Sequence, residues 1–207
     1  MILQRMPIGV YAANCYLIAC EETKDAIVVD PGGESEEIIK KSDELGVNIK
    51  YILLTHAHGD HIGGLKDLKK EIGCPVLIHK DDEDMLLDAQ LNLSAHMSMD
   101  DVMIKPDRLL EDGDVINVGN LQAVIIHTPG HTQGGISIKV NNIILTGDTL
   151  FKGSIGRTDL YGGSFDDIID SIKNKILVFP DDYEIYPGHG PSTTVGFEKR
   201  NNPFVNK

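Results

Sequence analysis

Short apolar runs, each ended by a turn residue, punctuate this chain throughout. NCYLIA (14–19), AIVVD (26–30), KYILLT (50–55), PVLIH (75–79), VINV (115–118), LQAVIIHT (121–128), GISIKV (135–140), NIILTG (142–147) and YEIYPG (183–188) are rich in β-branched and aromatic residues. They are short and bounded mostly by Gly, Pro, Asn or Asp, which predicts strands. VNN at 140–142 predicts a hairpin turn. Helical segments lie between the strands. Residues 35–45 start at Ser35, carry Glu36 and Glu37 in the first turn and meet Gly46 at the end. GLKDLKKEIG (64–73) predicts a short helix closed by Gly73. SFDDIIDSIKNKIL (164–177) has Ser164 as cap and an apolar stripe of Ile168, Ile169, Ile172 and Ile176. Strands and helices interleave, hairpins follow, and the alternation then returns. That order predicts a layered α/β fold, with sheet packed on sheet or covered by helices. Apolar residues make up 41% of the 207, enough for a core, and the length fits a single domain over 1–207.

Residues 81–105 break the pattern. The stretch is acidic and Met-rich (Met85, Met97, Met99, Met103), with no strand period. It predicts a helix followed by a long loop. Such a loop is either a lid or binding loop, or a surface excursion over a small satellite core.

Charge and cysteine usage narrow the function classes. A net charge of −13 repels phosphate backbones, so a nucleic-acid partner is not expected, while a small-molecule substrate remains open. Cys15, Cys20 and Cys74 are odd in number and form no CxxC pair, which argues for small core residues over a disulfide framework. The N-terminal stretch is broken by Arg5, Pro7 and Asn14 and lacks a signal-peptide layout. No apolar run reaches the roughly 18 residues of a membrane span. The expectation is a soluble, cytoplasmic protein without a membrane partner.

THAHGDHIGG (55–64) spends three of the chain's eight histidines, with an aspartate, directly after a predicted strand. Loops at strand C-termini are where α/β folds place ligands. Imidazole nitrogen and carboxylate oxygen are matched donors for zinc or iron. In an irregular loop His56 and His58 could serve one metal, and Asp60 and His61 another. Three more potential ligands follow strands in the same way: His131 in HTPGHTQGG, Asp148 in GDT and His189 in GHG.

This ordered set, THAHGDH, HTPGHT, GDTLF and PGHG, together with NCYLI, VVDPGG and GSIGRTD, resembles the metallo-β-lactamase superfamily, and within it the glyoxalase II-like branch. The resemblance runs from about residue 10 to the C-terminus. It implies an αββα sandwich of two mixed β-sheets flanked by helices, with a binuclear centre at one edge. By position, His56, His58 and His131 resemble the ligands of the first metal. Asp60, His61 and His189 resemble those of the second, and Asp148 resembles the bridging carboxylate. The two divalent ions would be Zn2+, with Fe or Mn as alternatives. The chemistry implied is attack on a thioester carbonyl by a metal-bridging hydroxide, with a thiolate leaving. Asp60 would be both ligand and catalytic orienter of the nucleophile. Several true β-lactamases carry a cysteine where this chain has Asp148, which points away from antibiotic cleavage. A different enzyme class on the same fold, an iron-dependent persulfide dioxygenase, would use only the equivalents of His56, His131 and Asp148. A hydrolase of another ester or a lactone, or a non-catalytic metal module, completes the alternatives.

Departures from the resemblance bear on the substrate. The chain stops after NNPFVNK, so the C-terminal helical domain that supplies part of the glutathione site in full-length relatives is not expected. Pro191 stands where an aromatic residue often follows the GH motif. Arg157 falls near a basic residue that glyoxalase II enzymes use on substrate. It would either bind a substrate carboxylate or pair with Asp159 or Asp148 to brace its loop. Asp30 is either a turn former before Pro31 or a carboxylate that orients a ligand histidine. His127 reads as a core or strand-end histidine or as a hydrogen-bond partner of a ligand, His79 as a surface cap at the end of its strand, and His96 as a loop histidine near substrate or solvent.

Overall fold

Alternate residues of the strand Ala13–Ala19 face two different interiors. Tyr16 and Ile18 join one apolar cluster, and Leu17 and Ala19 join another. A period of two gives a strand two faces, and here both are buried, which is why its sequence reads as unbroken apolar. The same division holds for Leu53 against Ile52 and Leu54, and for Leu77 against Val76 and Ile78. The structure, a computed structural model, describes residues 1–206.

One sheet holds six strands in chain order: β1 (Ile2–Ile8), β2 (Ala13–Ala19), β3 (Asp25–Val29), β4 (Asn48–Leu53), β5 (Val76–His79) and β6 (Arg108–Leu110). Pairing is antiparallel from β1 to β3 and parallel from β3 to β6. The second sheet uses β7 (Val115–Val118), β8 (Leu121–His127), β9 (Ile136–Val140), β10 (Ile143–Gly147), β13 (Glu184–Pro187) and β14 (Thr193–Thr194), in the order β14-β13-β10-β9-β8-β7. Its one parallel pair is β10 with β13. β11 (Leu150–Phe151) and β12 (Ser154–Ile155) form a small hairpin beside it. Val140 pairs with Ile143, so Asn141 and Asn142 make the predicted turn, with Asn141 at φ 53°.

The sheets pack face to face through Tyr16, Ile18, Leu53, Ile125, Ile138 and Leu145 among others. Helices α1 (Ser35–Leu45) and α3 (Leu65–Ile72) cover the outer face of the first sheet through Ile38, Leu65 and Leu68. α5 (Phe165–Ser171) and α6 (Val195–Asn201) cover the second through Ile168 and Val195. This is the expected αββα sandwich. The remaining helices are single turns, α2 (Gly59–Ile62) and α4 (Glu83–Leu86). No helix among the described residues is long and apolar enough to cross a membrane.

Three local readings are corrected. Helix α1 has Glu34, not Ser35, in the cap position, in left-handed backbone at φ 34°. Its carboxylate accepts the Gly9 N–H at 2.6 Å instead of capping the helix. The predicted helix 164–177 keeps its Ser164 cap but widens into a π-helix over Ile172–Ile176. Ile168, Ile172 and Ile176 recur every four residues. The π turns offset the drift that ordinary helical pitch would give, and all three stay fully buried. β1 was not foreseen because Gln4, Arg5 and Pro7 interrupt it. It is an edge strand, where proline and charge are tolerated.

Candidate metal centre

Five strands, two from the first sheet and three from the second, deliver their chemistry to one edge of the sandwich. β3 runs into Asp30, β4 into His56 and His58, β8 into His131, β10 into Asp148, and β13 into His189. The one-turn helix α2 holds Asp60 and His61. His58 Nδ1 and His131 Nε2 lie 2.9 Å apart, and the rings of His56, His58 and His131 meet edge to face at centroid separations of 4.6 to 4.9 Å. A second group forms beside them. His189 Nε2 is 3.1 Å from Asp60 Oδ2 and 3.3 Å from His61 Nε2. Asp148 stands between the groups, with Oδ1 3.4 Å from His61 Nε2 and Oδ2 3.7 Å from both His131 and His189 Nε2. All seven residues singled out in the sequence therefore converge.

The backbone is shaped to permit this. Gly188 lies so close to the Asp148 carboxylate and the His61 ring that any Cβ there would collide with both. Asp30 adopts φ 52°, a strained backbone that Asp tolerates better than most residues. Its carboxylate accepts the Thr55 N–H at 2.7 Å, the Thr55 hydroxyl at 2.6 Å and the His61 Nδ1–H at 3.0 Å. Of the two sequence readings of Asp30, the ligand-orienting one matches. His131 donates Nδ1–H to the Arg157 carbonyl at 2.8 Å, which fixes its tautomer and leaves Nε2 facing the site.

Electrostatics divide the donors. Burial holds His56 well below its usual range and His58 down to about 3, and it lowers His131 despite Asp148. Neutral imidazoles keep lone pairs for an ion. Burial also opposes charge on Asp60, Asp148 and His61, but mutual attraction prevails there. His189 and His61 hold Asp60 low, His61 leads the groups that hold Asp148 low, and Asp148 with Asp30 raises His61. Among the described residues, His56 Nε2, His58 Nε2 and Asp148 Oδ1 are buried without any hydrogen-bond partner. Leaving such atoms unpaired costs about 1–3 kcal/mol each. A cation shared by the donors removes that cost, so the two His/Asp clusters are suited to a binuclear metal site.

Above the centre is a cavity of about 440 Å³ lined by Tyr11, Leu93, His96, Met97, Arg157 and Leu160. Leu93, His96 and Met97 come from the Met-rich stretch, whose lid-or-wall reading thus gains a position at the site. Buried Asn92 pins that stretch. Its side-chain amide donates to the carbonyls of Met85 and Val102, and its backbone carbonyl accepts the Gly59 N–H at 2.7 Å. The stretch builds no satellite core of its own, because Met85, Leu86 and Val102 pack into the main core beneath the first sheet. Arg157, though it borders the cavity, forms a bidentate pair with Asp159 at 2.7 and 2.8 Å, with both side chains exposed. This is the bracing partner foreseen for it.

Sequence reasoning missed Asp82 and Thr55. Asp82 is buried and accepts from Ala57 N–H, the Thr132 hydroxyl and Gly134 N–H. Nothing in KDDED separates it from its exposed neighbours Asp81 and Asp84. A further grouping, His79, Asp81 and His127, lies apart from the centre. Its imidazoles stack at 4.0 Å and 15°, so their in-plane lone pairs run side by side and do not converge on an ion.

The sandwich and its edge cluster define a metallo-hydrolase fold. Residues 8–189 match the Metallo-beta-lactamase superfamily, and the chain belongs to it. It is 37% identical to the hydroxyacylglutathione hydrolase GloC of Haemophilus influenzae, over 100% of this chain and 99% of that one. Among solved structures, BLEG-1, a B3 metallo-beta-lactamase, superposes with a TM-score of 0.93 at 35% identity, with all of both chains covered. TTHA1623 in a di-iron-bound form superposes with a TM-score of 0.83 at 33% identity, covering 97% of this chain and 99% of that one.

Proposed function

We propose that the chain is a binuclear metal-dependent hydrolase of a small thioester, an S-acylglutathione or a similar acyl thiol. The observation that carries this reading is the pair of donor groups sharing Asp148 beneath an apolar-walled cavity. The likeness to GloC supports the substrate class. His56, His58 and His131 would hold one ion, and Asp60, His61 and His189 the other, with Asp148 between them. When bound, two divalent ions supply a nucleophilic water at neutral pH and polarise the carbonyl.

The chain's own residues do the rest. Asp30 and the Arg157 carbonyl hold His61 and His131 in the tautomers that face the centre. Asp60, kept ionised by His189, orients the attacking water. Leu93, Met97, Tyr11 and Leu160 exclude solvent and seat the acyl group. A thiolate leaves without an acid catalyst because simple thiols have a pKa near ~8.5. A closed, non-catalytic site is disfavoured by the cavity, which opens directly onto His58, Asp60, His131 and Asp148.

The donor set accepts zinc, iron or manganese, and zinc is the first choice. The di-iron form of TTHA1623 keeps iron in view. The test is thiol release from S-D-lactoylglutathione by metal-reconstituted protein, with metal content measured in parallel. Turnover with two metals per chain supports the reading. Two metals without turnover redirects the search to other esters, lactones and β-lactams. A single iron with oxygen consumption on a persulfide replaces hydrolysis with oxidation.

A further inference from the structure

The two loops that carry His56, His58 and His131 follow strands of different sheets, yet they bring His58 Nδ1 and His131 Nε2 to 2.9 Å of each other. One carboxylate lies between them. Asp82 follows β5 and is fully buried. Its Oδ2 accepts the N–H of Ala57, the residue between His56 and His58, at 3.2 Å. The same oxygen accepts the hydroxyl of Thr132, next to His131, at 2.8 Å, and Oδ1 accepts the Gly134 N–H at 2.6 Å. Gly134 is required for this approach, since a Cβ there would strike the Asp82 backbone N, Cβ and Cγ.

We propose that Asp82 is the positioning residue that sets the distance between the His56–His58 loop and the His131 loop, and thereby the affinity of the first metal position. It touches neither metal nor substrate. Its three bonds all come from donors, so the site needs an acceptor at both oxygens. An amide has only one. In Asp82→Asn the NH2 group must face a backbone N–H, either that of Gly134 or that of Ala57, and one of the two loops loses a bond to this side chain. The second donor group, Asp60, His61 and His189, makes no hydrogen bond to Asp82, and its His61 is held by Asp30 instead. The effect is therefore confined to one of two positions, which a general loss of stability would not produce.

This inference rests on the binuclear reading, and the experiment separates the two. Metal-free protein is titrated with Zn2+ against a chromophoric chelator, and with Co2+ followed by its visible absorption. Wild type is expected to show two binding events. Asp82→Asn is expected to fold, keep one event within about threefold and weaken the other about 10- to 100-fold, the range for loss of an outer partner of a metal ligand. The Co2+ spectrum of the weakened position should change shape. Two events of wild-type affinity overturn the proposal, and so does equal weakening of both. Should Asp82→Asn fail to fold, Thr132→Val removes one bond while keeping the side chain's shape. Selective weakening there supports the role, and unchanged binding refutes it. A wild-type protein that takes up no metal overturns the functional reading and this inference with it.

Discussion

Asp30 Oδ2 sits 3.0 Å from His61 Nδ1, with both side chains buried and Thr55 held on the same carboxylate. This pair ties the first sheet's β3 to the second donor group. Asn accepts the left-handed backbone at this position, so Asp30→Asn should fold. It loses one acceptor and the negative charge that steadies His61. Metal affinity and kcat/KM should fall about 10- to 100-fold. Chelator competition and thioester turnover check this, and wild-type values in both would show that His61 needs no orienting partner.

Removing either carboxylate at the centre tests the shared site. Neither Asp60 nor Asp148 belongs to an apolar cluster, so alanine variants should keep native circular dichroism. Thioester hydrolysis should drop by at least ~10³-fold, given the several kcal/mol that metal-based stabilisation supplies. Full activity in either variant is incompatible with a binuclear mechanism.

Arg157 is already paired and exposed, so its side chain is not free to grip substrate. Surface pairs contribute about 0–1 kcal/mol. Arg157→Ala should therefore move KM for S-D-lactoylglutathione by less than about fivefold, by the same magnitude. A far larger rise in KM would mean that substrate draws Arg157 away from Asp159.

The Met-rich stretch is best probed by point changes, because deleting through Met85 and Leu86 would remove core. Leu93→Ala and Met97→Ala enlarge the cavity without touching a metal donor. Each should lower kcat/KM on apolar acyl chains by about 10- to 100-fold, the usual value of lost methylene contacts in a pocket. Metal content should stay at wild type. Equal effects on polar and apolar acyl groups would remove the wall from substrate selection.

His79 reports on acid stability. Burial, with His127 stacked against it, lowers it from 6.5 to about 4. An unfolded chain therefore binds a proton at His79 before the folded one does. Stability is lost as pH falls from 6.5 toward about 4, by no more than ~1.4 kcal/mol per pH unit. The melting temperature of His79→Gln should fall less steeply across this window than that of wild type. Parallel curves would rule out His79 as a contributor.

Strand runs such as NIILTG and the HAHGDH cluster were legible because they are local. Apolar alternation needs only neighbouring residues, and a metal-binding loop concentrates rare side chains within a few positions. His131, Asp148 and His189 were legible through a repeated rule, a potential ligand just beyond an apolar strand. Edge strand β1 escaped because an edge carries fewer burial constraints, so Arg5 and Pro7 are permitted there. The π turns after Ser171 escaped because they answer the spacing of the second sheet, against which Ile168, Ile172 and Ile176 pack. Asp82 was beyond the sequence for the same reason. A carboxylate in an acidic run reads as solvated until tertiary packing buries it against donors from Ala57, Thr132 and Gly134. The candidate donors were thus written in local order along the chain. Which atoms orient those donors, and what walls the cavity, was decided only when two sheets brought distant loops together and burial made each remaining polar atom find a partner.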